Sequence, residues 1–140
     1  MRLGHTTKYA LEALAFLIRS HAREEWAQIA EIAATCGIPR KYLEQVLLDL
    51  KNAGLVESKK GQKGGYRLAR RPDEITLGQV LAAVQGELVP FPDWLAEPNA
   101  SLSLESGLRE VVQNARSSVR KIFDDTSIEV LVCRPESWLG

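Results

Sequence analysis

Cysteine is scarce in this chain of 140 residues: Cys36 and Cys133 are the only two, and they lie far apart. Such a pair makes no disulfide framework, which fits a reducing compartment. Histidine is equally sparse, with His5 and His21. Four scattered residues give no metal-ligand set, so no cofactor and no metal are expected. Enzymatic signatures are missing as well: there is no Ser/His/Asp set, no HExxH pattern and no pair of carboxylates in a pocket-like context. The glycines at 61, 64 and 65 lack the GxxxxGK[ST] order of a nucleotide-binding loop. The chain is therefore not expected to be an enzyme. Long apolar runs are absent too, since none approaches the roughly 20 residues that span a bilayer. The opening MRLGHTTKYALEALAFLI superficially resembles a signal peptide. Glu12 interrupts its apolar stretch and no small-residue cleavage site follows, which predicts a cytoplasmic protein with no membrane partner.

Net charge is the last absence. Eighteen basic residues balance eighteen acidic ones, and a neutral total taken alone argues against nucleic acid. The average hides a division, because residues 1–72 carry a formal +6 and residues 73–140 a formal −6. A basic half that binds and an acidic half that does something else would produce this asymmetry; chance scatter of surface charge is the rival explanation.

What is present concentrates between Cys36 and Arg71, CGIPRKYLEQVLLDLKNAGLVESKKGQKGGYRLARR. Gly37 supplies a turn and Pro39 opens a helix, where its missing N–H is harmless. Leu43, Val46, Leu47 and Leu50 recur at helical spacing and form one buried face. Arg40, Lys41, Glu44 and Gln45 fall on the neighbouring polar stripe, and Gly54 ends the helix. Val56–Lys59 and Tyr66–Ala69 read as two strands joined by a basic, glycine-rich and flexible tip. A polar helix start can read base edges in the major groove while a cationic ribbon beside it grips phosphate or the minor groove. Upstream, a first helix is predicted over Thr7–Ser20 with Thr6 or Thr7 as its cap. Trp26–Gln28 is a short strand able to pair with the hairpin. Ile29–Thr35 is a second helix, so that Cys36-Gly37-Ile38 becomes the turn of a helix-turn-helix.

The remainder is predicted as a helix over Thr76–Val84, an irregular segment over Glu87–Ala100 interrupted by Pro90, Pro92 and Pro98, and a long helix over Ser103–Asp124. That long helix would measure roughly 33 Å. Its stripe of Leu104, Leu108, Val111, Val112, Ala115, Val119, Ile122 and Phe123 suits either its own domain or a second copy. A two-fold dimer is favoured, because helix-turn-helix proteins commonly read two half-sites. The expected dimer interface is Leu108, Val111, Val112, Ala115, Val119 and Ile122. Thr126-Ser-Ile-Glu129 predicts a capping box for a last short helix. The fold expected is mostly α with a small β-wing. Its organisation is a winged helix-turn-helix over 1–86, a Pro-rich apolar loop over 87–102, and a dimerisation helix with a short C-terminal helix over 103–140.

The initial MRL, Lys8-Tyr9-Ala10, Tyr42-Leu-Glu-Gln45, Ala53-Gly-Leu-Val56, Gly64-Gly-Tyr-Arg-Leu-Ala69, Ile75-Thr-Leu and Val84-Gln-Gly86 occur in the order found in the Rrf2 family of bacterial regulators. The chain resembles that family over nearly its whole length. The resemblance implies a homodimeric winged-helix transcription regulator, by family habit a repressor, on a pseudo-palindromic double-stranded DNA operator. It implies that Glu44 and Gln45 face base edges, that Arg40 and Lys41 stand at the start of the recognition helix, and that Arg2, Lys8 and Tyr42 hold phosphates. Lys60 would enter the minor groove from the wing, with Lys59 and Lys63 beside it. Plainer readings exist for these residues: an exposed Glu44–Lys41 pair on the helix and a solvated hairpin tip.

The chain departs from the family in one respect. Relatives with an iron–sulfur cluster carry three cysteines in the loop before the long helix, and Glu87–Ala100 has neither cysteine nor histidine. A cluster needs about four thiolate or related ligands, so a cluster-free protein is expected. Phe91 and Trp94 in that loop are the candidates for signal input from a small molecule or a partner protein, by analogy with the cysteine-metabolism branch. Two rivals stand beside the regulator reading. One is an interaction module that has lost specific DNA binding; the other is a redox or metal sensor using Cys36 or a site between subunits.

Overall fold

The computed structural model describes residues 2–96 and 103–133. The predicted loop over 87–102 and the predicted unit over 103–140 therefore lie partly outside the described residues. Helix α1 (His5–Ala22) buries Ala10, Ala13, Leu14 and Leu17, spaced three and four apart on one face. Its N-cap is Gly4, without a side-chain cap. Neither predicted threonine does that work: Thr7 is buried, and its hydroxyl donates to Gln85 Oε1 at 2.5 Å. Helix α2 (Ile29–Cys36) ends on Gly37, which adopts a left-handed conformation (φ +65°) while the Ile38 amide reaches back to the Ala33 carbonyl. This is a Schellman closure, and it makes the turn that leads into α3.

Helix α3 (Arg40–Asn52) has Pro39 as its N-cap, and the Pro39 carbonyl accepts from the amides of Tyr42 and Leu43. Leu43, Val46, Leu47 and Leu50 are at most 1% exposed and form the centre of the core with α1. The antiparallel hairpin follows as β1 (Val56–Lys59) and β2 (Gly65–Leu68), in the register Val56↔Leu68 to Lys59↔Gly65. The predicted strand at 26–28 is a single bridge, Ala27↔Tyr66, with both amide bonds at 2.8 Å.

A 3₁₀ turn (Pro72–Glu74) leads to α4 (Leu77–Val84), which is closed by a capping box between Thr76 and Gln79. The irregular segment contains one helical turn, α5 (Asp93–Ala96), started by the Pro92 carbonyl, which accepts from the Leu95 amide. The expectation of no regular structure there is corrected to that extent: proline is excluded from a helix interior but not from its entry. Leu95 is buried. Helix α6 (Ser103–Asp124) has the predicted bounds. Helix α7 (Ile128–Val132) is capped by Ser127, whose hydroxyl accepts from the Val130 amide. The capping box predicted on Thr126 does not form. Thr126 belongs to the preceding turn, its hydroxyl donating to the Ile122 carbonyl and its own carbonyl accepting from Leu77.

The apolar positions of α6 divide between two adjacent faces. Val112, Val119 and Phe123 are half-buried, on the side where Arg116 reaches Glu87 and Val119 and Phe123 meet α4. Leu104, Leu108, Val111, Ala115 and Ile122 are exposed on the other, Leu104 at 80% and Val111 at 63%. The single predicted interface thus splits. Leu108, Val111, Ala115 and Ile122 point away from the chain's own domain, whereas Val112 and Val119 turn toward it. Helical positions one residue apart differ by about 100°, so a wide stripe can serve two partners at once.

Candidate nucleic-acid interface

The polar side of α3 is presented because its apolar side is taken by the core. Arg40, Lys41, Tyr42, Glu44 and Gln45 are all exposed. Glu44 accepts from Arg40 Nε at 3.4 Å, and Gln45 donates to Asp49 Oδ1 at 2.9 Å. The exposed pair on this helix is therefore Arg40–Glu44, not Lys41–Glu44. Both bonds are one turn long, between solvated side chains, and such pairs are worth only about 0.3–0.5 kcal/mol. A base edge offering a better partner would displace them at little expense. Lys41 makes no ion pair among the described residues.

The starts of α1 and α3 are neighbours. Tyr9 and Tyr42 lie 6.1 Å apart and His5 and Tyr9 6.3 Å, so a string of three rings joins the two helices at their N-terminal ends. Lys8 is exposed near this string, with Glu12 4.0 Å away. Arg2 is exposed, and its carbonyl accepts from the Gln85 side chain, whose oxygen also takes the Gly4 amide and the Thr7 hydroxyl. Gln85 thereby ties the segment before α1 to the end of α4. The structure brings Lys8, Tyr42 and Arg40 to one end of the helix pair.

The hairpin differs from the flexible ribbon expected of it. Gln28, just before α2, donates through Nε2 to the carbonyls of Gln62 at 3.0 Å and Gly64 at 2.6 Å. A Cβ at Gly64 would collide with the Lys59 carbonyl, and one at Gly65 (φ +138°) with the Ala27 carbonyl. Only glycine permits such close backbone approach. Trp26 closes the base, its ring stacked under the Arg67 guanidinium at 4.1 Å with Lys59 Nζ at 5.9 Å. Arg67 also pairs across the strands with Glu57. Lys59, Lys60 and Lys63 remain exposed, and Lys60 and Lys63 make no ion pair among the described residues. The sequence offers Trp26–Gln28 as a strand able to pair with the hairpin, but gives no sign that the Trp26 ring and the Gln28 amide brace it.

Phe91 is half-buried beneath Arg116, whose guanidinium lies 4.6 Å from the ring, while Trp94 is 61% exposed. The two aromatic residues of the loop are thus in different surroundings. Cys36 is half-buried and its thiol donates to the Glu12 carbonyl at 3.6 Å. Burial, reinforced by the Glu12 carboxylate, pushes that thiol above its ordinary value. It stays protonated at neutral pH, the opposite of what a reactive or metal-binding thiolate requires. Cys133 is exposed at the other end of the chain. Among the described residues no helix is long and apolar enough to cross a membrane.

A family profile described as "Rrf2: Iron-dependent Transcriptional regulator" matches residues 3–134. The chain is 32% identical over 131 residues to the HTH-type transcriptional regulator CymR of Bacillus subtilis, covering 94% of this chain and 89% of that protein. Among solved structures, CymR, the global cysteine regulator of B. subtilis, superposes with a TM-score of 0.76 at 30% identity, over 96% of this chain and 98% of that one. T. potens IscR superposes with a TM-score of 0.72 at 26% identity, over 100% and 93%. The residues here do not fit the iron in the family description as a cluster. Two cysteines are available in the whole sequence, one of them a half-buried thiol, and no group of three or more possible ligands occurs among the described residues.

Proposed function

This chain belongs to the Rrf2 family of winged-helix, DNA-binding transcription regulators, not enzymes, and from that premise we propose how it reads DNA. Two copies bind a pseudo-palindromic operator in the cytoplasm and repress by occupying it. Helix α3 enters the major groove with Glu44 and Gln45 toward base edges. Gln can bond adenine there, and Glu can accept from cytosine N4. Arg40 and Lys41 stand at the groove's rim, and Arg2, Lys8 and Tyr42 hold the phosphates. The wing follows the backbone with Lys59, Lys60 and Lys63, Lys60 reaching the minor groove. Residues 1–86 form the reading unit, 87–102 connect, and 103–140 pair the two copies through Leu108, Val111, Ala115 and Ile122.

One observation carries this reading. Cations with no carboxylate partner among the described residues, Lys41, Lys60 and Lys63, occur on the helix and on a hairpin that Gln28 ties to the helix-turn-helix. Cations carried on two elements that are tied together match a periodic polyanion better than they match solvent. Footprinting on the chain's own promoter at two salt concentrations tests it. A protected two-fold site that persists at the higher salt is expected. Binding that disappears with salt and protects no defined sequence would overturn the reading.

A further inference from the structure

Behind the DNA-reading elements, between α4, the segment 86–89 and the inner face of α6, lies a cavity of about 370 Å³. That volume falls at the lower end of small-molecule sites, about 300–1,000 Å³. Leu81, Leu88, Val119 and Phe123 give it apolar walls. Its polar rim is made by Arg116 and Arg120, which share one carboxylate: Glu87 Oε2 lies 2.6 Å from Arg116 and 3.5 Å from Arg120. Asp124 also lines the cavity, its Oδ1 close to Gly78 in the first turn of α4. Two cations thus meet the Glu87 carboxylate at one edge of the space, and the Asp124 carboxylate is the second anion of its lining.

Arg116 is engaged in an incomplete way. Its side chain is 20% exposed and its ring partner Phe91 covers one face. Glu87 takes Nη2 alone, and the adjacent Nε is buried with no hydrogen-bond partner. Nε and Nη2 form the side-on fork that a carboxylate grips with both oxygens. A buried donor left unmatched is unfavourable, so a carboxylate able to occupy both prongs has an advantage over Glu87.

We propose that this cavity is the effector site, and that its ligand is a small carboxylate with a short aliphatic tail. The carboxylate replaces Glu87 on the Arg116 fork and reaches Arg120, while the tail lies among Leu81, Leu88, Val119 and Phe123. The site couples two working parts. One wall is α4, whose end is tied through Gln85 to Arg2 and Gly4 beside α1; the other is α6, whose adjacent face bears the exposed apolar stripe. Its regulatory meaning rests on the DNA-binding reading above, but binding of the carboxylate does not.

Isothermal titration calorimetry of the full chain without DNA tests the site, using acetate, butyrate and hexanoate with hexanamide as the uncharged control. Affinity should rise from acetate to hexanoate and be about tenfold or more weaker for hexanamide, which lacks the charge-assisted bonds. Glu87→Gln should tighten hexanoate binding by removing the internal competitor, and Arg116→Gln should abolish it. Equal binding of hexanoate and hexanamide, no binding to either wild type or Glu87→Gln, or unchanged affinity in Arg116→Gln would overturn the proposal. Circular dichroism confirms that each variant is folded. Because no DNA is present, a chain that fails to footprint an operator still gives a definite answer here.

Discussion

Helices α3 and α6 are written in the same sequence language and are used in opposite ways. Each has apolar residues every three or four positions and polar ones between. In α3 the four core positions are at most 1% exposed, and the polar side is what the molecule presents. In α6 one apolar face packs against α4, and a second, carrying Leu104, Leu108, Val111 and Ile122, is left at 40–80% exposure. Periodicity reports that a face exists; it does not say whether the same chain or another copy covers it. A surplus of apolar surface on one helix marks where a single chain stops being self-sufficient.

The comparison can be broken from either side. Leu47→Ala in α3 empties a fully enclosed position and should lower unfolding stability by about 2–5 kcal/mol in urea denaturation. Val111→Asp in α6 should leave the helical content and the core intact, yet weaken self-association on the order of 100-fold in analytical ultracentrifugation, because a desolvated carboxylate costs several kcal/mol. If Val111→Asp instead unfolds the chain as Leu47→Ala does, the outer face of α6 belongs to the core and the contrast fails.

Smaller effects sharpen the division of labour. Gln45→Ala should relax preference at one operator position by about 1–3 kcal/mol, read from binding to single-base operator variants. Lys60→Ala should weaken binding to most sequences alike and reduce the salt slope by about one unit. The smallest concerns α6. The hydrogen bond from Arg116 holds the Glu87 carboxyl below the ordinary 4.5. A lowered folded-state value means that the stabilisation is fully present above the ordinary value and is lost as pH falls through the folded one. The melting-temperature difference between wild type and Glu87→Gln should therefore be constant near neutrality and close under acid conditions. A difference that grows on acidification would contradict the sign.

The recognition helix, the hairpin and the bounds of α6 were legible in the sequence because they are set by local periodicity and by turn residues such as Gly37. The errors share a cause. Thr7 and Thr126 have the chemistry of helix caps, but distant partners claim them: Gln85 in one case, and a turn of α6 bonded to Leu77 in the other. Val112 and Val119 look like their neighbours on α6 until α4 divides the stripe. The side-chain bonds of Gln28 and the Arg116 fork were invisible, since each forms only with residues more than twenty positions away. Of the two loop aromatics, Phe91 lies against the Arg116 guanidinium, and Trp94 does not line the cavity beside it.

The hold of Gln28 on the hairpin tip also bears on the entropy of association. A recognition loop that becomes ordered only on docking lowers affinity by roughly 0.5–1.5 kcal/mol for each side chain immobilised, with backbone ordering added to that. Here the carbonyls of Gln62 and Gly64 are already held by Gln28, so the proposed docking would leave mainly the lysine side chains of the tip to order.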